Sequence, residues 1–252
     1  LQQQASATFG LNPKATMQIA QRLYEAGHIT YMRTNSQKYS AVFVDIAANF
    51  ITNKWSASHV GNLTSITVEE GNQDPHEAIR PTNLQMSDII INDVPELVCR
   101  IYRLIWLNTV QSCMSPAIYN KISMKISAPD SNYYSHDFEI QKFGGFQDAK
   151  QKESANDILI TEQLVASITM YYKNKTVDYC WIKSHIKSTG THSHYTEAGL
   201  IDALERRGIG RPSTFAMLVD VIQTRNYVER KDVPGTTVNC QTLSLERGEA
   251  AP

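Results

Sequence analysis

Hydrophobic residues recur at helical spacing through the first part of the chain. A helix is predicted to begin at Asn12-Pro13, because Asn is a good N-cap and Pro suits the first helical position, and to end near Gly27. A second helix is predicted from one apolar stripe, formed by Val42, Phe43, Ile46, Ala47, Phe50 and Ile51. A third is predicted to begin at Asp93-Val94-Pro95 and to end before Pro116.

The middle of the chain changes to a period of two. Apolar and polar residues alternate over 118–126 and again over 134–140, and Asp130-Ser131-Asn132 between them is typical of a turn, so a β-hairpin is predicted. Two further strand-like runs follow, around Val165 to Tyr172 and Val177 to Ile186. Together these runs predict a small antiparallel sheet over 116–188.

The last part of the chain becomes helical again. Thr196 is a candidate cap for one helix, which Gly208 would end, and Ser213 is a candidate cap for a second. Tyr227-Val228 is predicted to be extended. Two helices joined by a Gly-containing turn and followed by a strand outline a helix-turn-helix or winged-helix unit, although paired helices also arise from packing alone. The order of elements predicts the α+β class.

Composition is that of an ordinary globular protein. The chain has 252 residues, of which 42% are hydrophobic and 19% charged, and its apolar runs are shorter than the ~18 residues of a membrane span. The net charge is −1, but residues 14–40 and 205–231 each carry a net charge of +3, which favours a local anionic ligand. The opening Leu1-Gln2-Gln3-Gln4 resembles the interior of a longer protein, so we expect a fragment.

Several familiar motifs are excluded. No Gly-Lys pair occurs, so no phosphate-binding P-loop and no use of ATP is expected. The run 208–213 lacks the third Gly of a dinucleotide fingerprint, and Arg80 stands where a zinc-protease helix starting at His76 would need its second His. His192-Ser193-His194 has no third ligand nearby in sequence. We therefore predict no metal ligands in this chain.

A polar cluster surrounds Tyr31. A phenol is a poor nucleophile because its pKa is ~10, but Arg33 would lie on the same side of an extended segment. A guanidinium can stabilise phenolate character and bind phosphate oxygens, so the pair could support covalent catalysis on a phosphodiester. The alternative is an ordinary structural tyrosine.

Two more polar clusters follow. The Pro-bounded loop 74–82 contains His76, a candidate acid, base or phosphate donor, and Arg80; the alternative is a rigid loop held by a local ion pair. In 208–214, Arg211, two hydroxyls and the amides of a helix start could cradle a phosphate; the alternative is a well-capped turn.

These three clusters, in this order, resemble the central portion of type IA DNA topoisomerases. The opening Leu1-Gln2-Gln3, the run 16–25 and Tyr195-Thr196-Glu197-Ala198 are also similar to that family, so the resemblance spans roughly Leu1 to Glu229. Met32 and the residues at 76–82 resemble bacterial topoisomerase I more closely than topoisomerase III.

The resemblance implies roles for individual residues. Tyr31 would attack single-stranded DNA to give a 5′-phosphotyrosine and a free 3′-hydroxyl, which can reseal the strand without ATP, relaxing negatively supercoiled DNA. Arg33 would be catalytic with it, positioning the tyrosine and the phosphate. The DNA-binding residues implied by the resemblance are His76, Arg80, Arg211, Ser213, Thr214 and Arg22.

The resemblance also implies an organisation in three parts. These are a winged-helix-like tyrosine domain (1–115), part of an antiparallel β arch that closes a toroid (116–190), and the start of a helical domain that flanks the DNA groove (191–252). The implied partner is single-stranded DNA, bound by a monomer inside the cell, in the cytoplasm or nucleoid, with a viral or nuclear origin left open.

This sequence departs from the family pattern in two ways that concern activity. The family's metal-binding Toprim domain is not found in the chain, which has no Asp-x-Asp pair; Mg²⁺ is therefore expected in the full enzyme, and relaxation is not expected of this chain alone. Asn35 stands where the family usually has Asp. The alternative function is thus a non-catalytic single-stranded DNA-binding module.

Overall fold

The computed structural model describes residues 1–68, 76–89, 95–150, 163–170, 176, 178–186, 194–235 and 237–247. Its helices are α1 (Gln2–Phe9), α2 (Pro13–Glu25), α3 (Ala41–Lys54), α4 (Glu96–Ser112), α5 (163–170), α6 (Glu197–Arg206) and α7 (Pro212–Thr224). Its strands are β1 (Ile118–Ser127), β2 (Tyr133–Phe143), β3 (Trp181–His185) and β4 (Thr242–Glu246). Short 3₁₀ turns cover Ala57–His59, Thr64–Ile66 and Gly145–Ala149. The α+β expectation is confirmed as a mixture of helix and sheet.

Contacts group the described residues into two units. The first unit comprises 1–118, 143–152 and 195–230, and the second comprises 119–142, 153–194 and 231–252. The division of the chain into three domains at 115 and 190 stays a prediction.

The first unit is built around α4. Ile101, Tyr102, Ile105 and Val110 of this helix are almost fully buried, and they pack with apolar residues of α2 and α3 in one continuous core. The indole nitrogen of Trp106 donates to the Leu84 carbonyl at 2.8 Å, so the buried polar group is satisfied. In the same unit, α1 packs against α6 and α2 packs against α7.

The local signals for helix ends are largely confirmed. The side chain of Asn12 accepts a hydrogen bond from Ala15 N at 2.7 Å, and Gly27 takes the left-handed conformation (φ 76°) just beyond α2. Thr196 caps α6 through Gly199 N at 3.0 Å. The cap predicted at Ser213 is wrong: Arg211 is the N-cap of α7, because Pro212 already occupies its first turn.

The predicted stripe of α3 needs a second correction. Phe43, Ala47, Phe50 and Ile51 are buried, but Val42 and Ile46 are 72% and 53% exposed, and Val44 is buried instead. The helix is nearly all apolar at these positions, so the pattern alone did not identify the face that meets α4.

The second unit contains two separate pairs of strands. β1 and β2 form the predicted hairpin, and Asp130 and Ser131 at its turn both have positive φ, 58° and 61°. β3 pairs antiparallel with β4 in the register Trp181 to Glu246 through His185 to Thr242. Among the described residues these two pairs share no strand.

The single sheet predicted over 116–188 is therefore wrong. β3 finds its partner some 60 residues further along the chain, in a segment with no predicted strand. The run around Val165 is helical over 163–170, where the hydroxyl of Thr169 donates to the Val165 carbonyl at 2.8 Å. Tyr227-Val228, predicted to be extended, forms bends directly after α7.

Candidate active site

Tyr31 lies on a short segment that follows α2 and is fixed by an antiparallel contact with the loop 76–82. Ile29 bridges Pro81, and Thr82 N donates to the His28 carbonyl at 3.0 Å. Thr30 is bonded to Arg80 in two ways: its amide donates to the Arg80 carbonyl at 2.9 Å, and its hydroxyl accepts from Arg80 N at 3.0 Å. The tyrosine segment and the loop therefore hold one another in place.

Two aromatic rings flank Tyr31. The His76 ring lies at a centroid distance of 5.1 Å with the planes tilted by 36°, and the Tyr24 ring meets it edge-on at 5.2 Å. Tyr31 itself is half-buried, and its hydroxyl has no hydrogen-bond partner within the described part of the chain. The fold thus brings the first two predicted clusters together and leaves the phenol oxygen available.

Arg80 is engaged within its own loop. Its Nε and Nη2 donate to the two carboxylate oxygens of Glu77 at 3.0 and 2.6 Å, and Nη1 donates to the Pro81 carbonyl at 3.1 Å. The guanidinium carbon lies 4.2 Å from the centre of the Phe43 ring. The local ion pair considered as an alternative for this loop is present, and a DNA contact by Arg80 stays a prediction.

A cationic groove runs between α2 and α7 within the first unit. It has a volume of about 640 Å³ and is lined by three basic and two acidic side chains together with Ser213; the charged residues are Lys14, Arg22, Arg33, Glu25 and Asp220. Lys14 on α2 pairs with Asp220 on α7 at 3.0 Å across it. Both Arg22 and Arg33 are exposed, and neither has a carboxylate partner among the described residues. Two exposed guanidinium groups on one groove are suited to binding the oxygens of a phosphate group.

A second cavity of about 1020 Å³ lies in the same unit and has a different lining. It brings Asn35 and Arg211 together with the amide side chains of Gln2, Gln3, Gln4, Gln37 and Asn108. Tyr39 lines it as well; burial is the main reason that the pKa of its phenol is raised, and its hydroxyl shares a hydrogen bond of 3.1 Å with Ser112 Oγ. Most of these polar groups are neutral.

The predicted residues of the third cluster separate. Ser213 reaches the cationic groove and Arg211 lines the second cavity. The hydroxyl of Thr214 is used locally, because it accepts from Arg211 N at 2.8 Å and closes the first turn of α7. Gly208 and Gly210 both have positive φ, 67° and 82°, so the turn before α7 is tight, as the alternative interpretation of this cluster held.

Two residues of the site were not singled out by sequence reasoning. Tyr24, on α2, is 40% exposed and packs against Tyr31. Glu77 was passed over, although its position three residues before Arg80 is a spacing at which ion pairs form. Of the two residues, only Glu77 could have been identified from the sequence, through its spacing from Arg80.

The described residues were compared with the requirements of a metal site and of a membrane span. Among the residues that the structure describes, no three His, Cys, Asp or Glu side chains converge as metal ligands would. Over the same residues, no helix has both the length and the apolar character needed to cross a bilayer.

Comparison with known proteins places this site in a family. A family model described as DNA topoisomerase matches residues 1–242, so the chain belongs to the DNA topoisomerase family. Within that family it is 34% identical over 232 residues to DNA topoisomerase 1 of Pseudomonas aeruginosa and 32% identical to that of Escherichia coli, in each case over 90% of this chain. The sequence resemblance to bacterial topoisomerase I is confirmed.

A solved structure agrees with the sequence relatives. Full-length topoisomerase I from Thermotoga maritima matches 91% of this chain with a TM-score of 0.66 and 26% identity. The match covers 37% of that protein, and the chain spans about a quarter of the length of the curated relatives.

Proposed function

We propose that this chain carries the nucleophile of a type IA DNA topoisomerase, an enzyme that cleaves single-stranded DNA through a 5′-phosphotyrosine, passes a strand and reseals the break. The observation that carries the proposal is the setting of Tyr31, whose ring lies 5.1 Å from the His76 ring, centre to centre, on a segment tied to the loop 76–82. Family membership supports it, since the matched relatives are named DNA topoisomerase 1.

The chemistry asks little of the protein beyond orientation and charge neutralisation. The Tyr31 oxygen loses its proton and bonds to phosphorus, while the bond from phosphorus to the 3′ oxygen breaks and that oxygen takes up a proton. Resealing is the same exchange reversed, and no ATP is required because one phosphodiester replaces another. Arg33 would neutralise the phosphate, and His76 would contact it beside the tyrosine.

The cationic groove gives the strand a path past the nucleophile. Arg22, Arg33 and Ser213 would bind consecutive phosphates by charge-assisted hydrogen bonds, with Arg211 at the second cavity. Such binding releases counterions, so affinity for single-stranded DNA is expected to fall steeply with salt.

Mg²⁺ is implied by the family, and the described residues of this chain do not fit it. They offer no convergent set of carboxylates, so no step is assigned to the ion here. The proposal places Mg²⁺ in the complete enzyme, outside the residues described.

The finer architecture and setting also belong to the proposal. The first part of the chain would form a winged-helix-like domain, β1 and β2 would belong to an arch that closes a toroid, and α6 and α7 would flank the DNA groove. The enzyme would act as a monomer on single-stranded DNA, in the cytoplasm or nucleoid.

The deciding experiment uses a chimera in which this chain replaces the matched segment of the Pseudomonas aeruginosa relative. A single strand is labelled at its 3′ end in one reaction and at its 5′ end in another, with Mg²⁺ added, and the products are separated after denaturation. A 5′-phosphotyrosine leaves the 3′ label on the protein and releases the 5′ label as a shorter strand. Tyr31→Phe should abolish both signals, and Tyr227→Phe, which changes an exposed tyrosine outside the site, should preserve them.

The alternative function, a non-catalytic single-stranded DNA-binding module, is retained because Asn35 stands where the family usually has Asp. If the wild-type chimera binds the strand but forms no adduct, the binding-module function replaces the catalytic one, and Asn35→Asp is then tested for recovery of cleavage. An adduct that survives in Tyr31→Phe would overturn the assignment of the nucleophile.

A further inference from the structure

We propose that Glu77 and Arg80 act as a positioning pair for Tyr31 and His76, and that the Arg80 guanidinium serves the loop rather than the DNA. This inference rests on the proposed function, because the effect to be measured is the reactivity of Tyr31. Nothing in the family match assigns a role to Glu77.

The Glu77 carboxylate accepts three hydrogen bonds that join its own loop to the start of α3. Its two oxygens accept the Arg80 fork at 2.6 and 3.0 Å, and Oε2 also accepts from Ser40 N, the N-cap of α3, at 3.3 Å. A carboxylate at a helix N-terminus is favoured by the helix dipole. Glu77 therefore fastens its loop, next to His76, to the start of α3.

Three of the five N–H donors of the Arg80 guanidinium are already bonded within the loop. Nε, Nη1 and Nη2 are each bonded within the loop, one face of the plane lies on Phe43, and the side chain is 16% exposed. By contrast, Arg22 and Arg33 are exposed and line the groove. The cations suited to DNA and the cation suited to holding the loop are different residues.

Backbone hydrogen bonds link the Glu77–Arg80 pair to the segment that carries Tyr31. With its side chain fixed, the Arg80 main chain bonds Thr30 in both directions, and the Thr30 hydroxyl also donates to the Ala78 carbonyl at 3.0 Å. Ala78 N in turn donates to the Lys38 carbonyl at 2.8 Å. Loosening the ion pair would free the loop on both sides, and with it the spacing between Tyr31 and His76.

The test measures rate and binding separately in the chimera. The first-order rate of adduct formation at saturating DNA reports orientation, while Kd and its dependence on salt report phosphate contacts. Glu77→Gln and Arg80→Met should each lower the rate about 10- to 100-fold and change Kd less than about threefold, with an unchanged salt slope. Because the two side chains act through each other, the double variant should be no slower than the worse single one.

Two further variants sharpen the outcome, and a third serves as the binding control. Arg80→Lys keeps the charge and loses the two-pronged geometry, so the rate should fall about tenfold or more although binding persists. Arg103→Met, which removes an exposed ion pair with Asp88 (3.0 Å), should change neither quantity. Arg22→Met should raise Kd and reduce the salt slope by about one.

A direct contact between Arg80 and a DNA phosphate would give a different set of results. If Arg80→Met raises Kd tenfold or more and reduces the salt slope, with Glu77→Gln silent and Arg80→Lys near normal, Arg80 is a phosphate contact and the inference is wrong.

Hydrogen exchange separates this failure from failure of the proposed function. Glu77→Gln should speed exchange at the amides of Thr30 and Ala78 and leave Ile105 in α4 unchanged. Unchanged exchange would overturn the positioning pair even in an active enzyme. A wild-type chimera without adduct would overturn the proposed function, while the exchange rates still show whether the pair holds the loop.

Discussion

The two contact units obtain their order in different ways. In the first unit, apolar side chains from α2, α3 and α4 are buried together, and the segment that carries Tyr31 is bonded to a loop that rests on this core. In the second unit, nearly every position of β3 and β4 is exposed, and most of β1 and β2 is exposed as well. There, buried apolar positions such as Ile140 and Val165 are scattered.

The difference teaches where this molecule maintains precise geometry. The proposed function requires Tyr31 and His76 to keep their spacing, and a packed core resists small displacements of the segments that rest on it. A hairpin with both faces exposed depends on ladder hydrogen bonds and its turn, so it deforms more easily. The proposed chemistry therefore lies on the more rigid of the two units.

The largest expected contrast comes from truncating one isoleucine in each unit. Ile101→Ala removes a fully buried side chain from α4 and should cost about 2–5 kcal/mol of unfolding free energy. Ile122→Ala in β1, where the side chain is 36% exposed, should cost less than about 1 kcal/mol. Urea unfolding of each variant measures this; equal losses would show that the second unit has a core of comparable weight.

Cysteine reactivity should divide along the same line. Burial raises the pKa of the Cys113 thiol to about 11, from an ordinary value of 9.0, so near neutral pH its thiolate fraction falls about a hundredfold. Cys180 and Cys240 are exposed. Iodoacetamide at about pH 8 should therefore modify these two about a hundredfold faster, as followed by mass spectrometry, and the gap should close in denaturant. Fast labelling of native Cys113 would contradict its place in the core.

The energetic cost of a non-glycine residue at positive φ should be similar in both units, so the two units should not differ in this respect. Ser131 at the hairpin turn has φ 61°, so Ser131→Gly should stabilise the hairpin by about 1 kcal/mol and slow its amide exchange about fivefold. Gly208 has φ 67° and open space where a Cβ would lie, so Gly208→Ala should destabilise α6 by a similar amount through backbone strain alone. A silent Ser131→Gly would mean that the turn already relaxes in solution.

The smallest effect concerns acid and the hairpin. A hydrogen bond from the Lys121 ammonium, and a second from Ser123, lower the pKa of the Asp137 carboxyl below its ordinary 3.8. A carboxyl with a lowered pKa stabilises the fold above 3.8, and this contribution is lost as the pH falls through its folded value. Hairpin protection, corrected for intrinsic exchange, should therefore decline slightly below about pH 4, and Asp137→Asn should remove the decline. Since the pair is solvent-exposed, a large change would contradict this picture.

Much of the local structure could be predicted from neighbouring residues. Asn12 and Thr196 cap their helices, and Asp130-Ser131 turns the hairpin, because these preferences depend on atoms within a few residues. Ser213 failed as a cap because Arg211-Pro212 offered a competing start just before it. Val165 failed because an apolar run of that length suits a helix as well as a strand.

The candidate site also has a part that could be predicted from the sequence and a part that could not. The sequence identified Tyr31, Arg33 and His76 as chemically suited to a phosphodiester, and the family match is consistent with that chemistry. The spacing of Glu77 and Arg80 in the sequence allows an ion pair but does not require one. The pair forms because the fold places Phe43 against the Arg80 guanidinium and the start of α3 against the Glu77 carboxylate.

By itself, then, the sequence determined the residue types that can do chemistry, most helix ends, and the family. The tertiary structure alone decided which of these residues meet: Tyr31 with His76, 45 positions apart, and β3 with β4 across some 60. The physical reason is range. Dihedral preferences and capping bonds act within about one turn, whereas distant pairings are selected by the burial and hydrogen bonding of the whole fold at once.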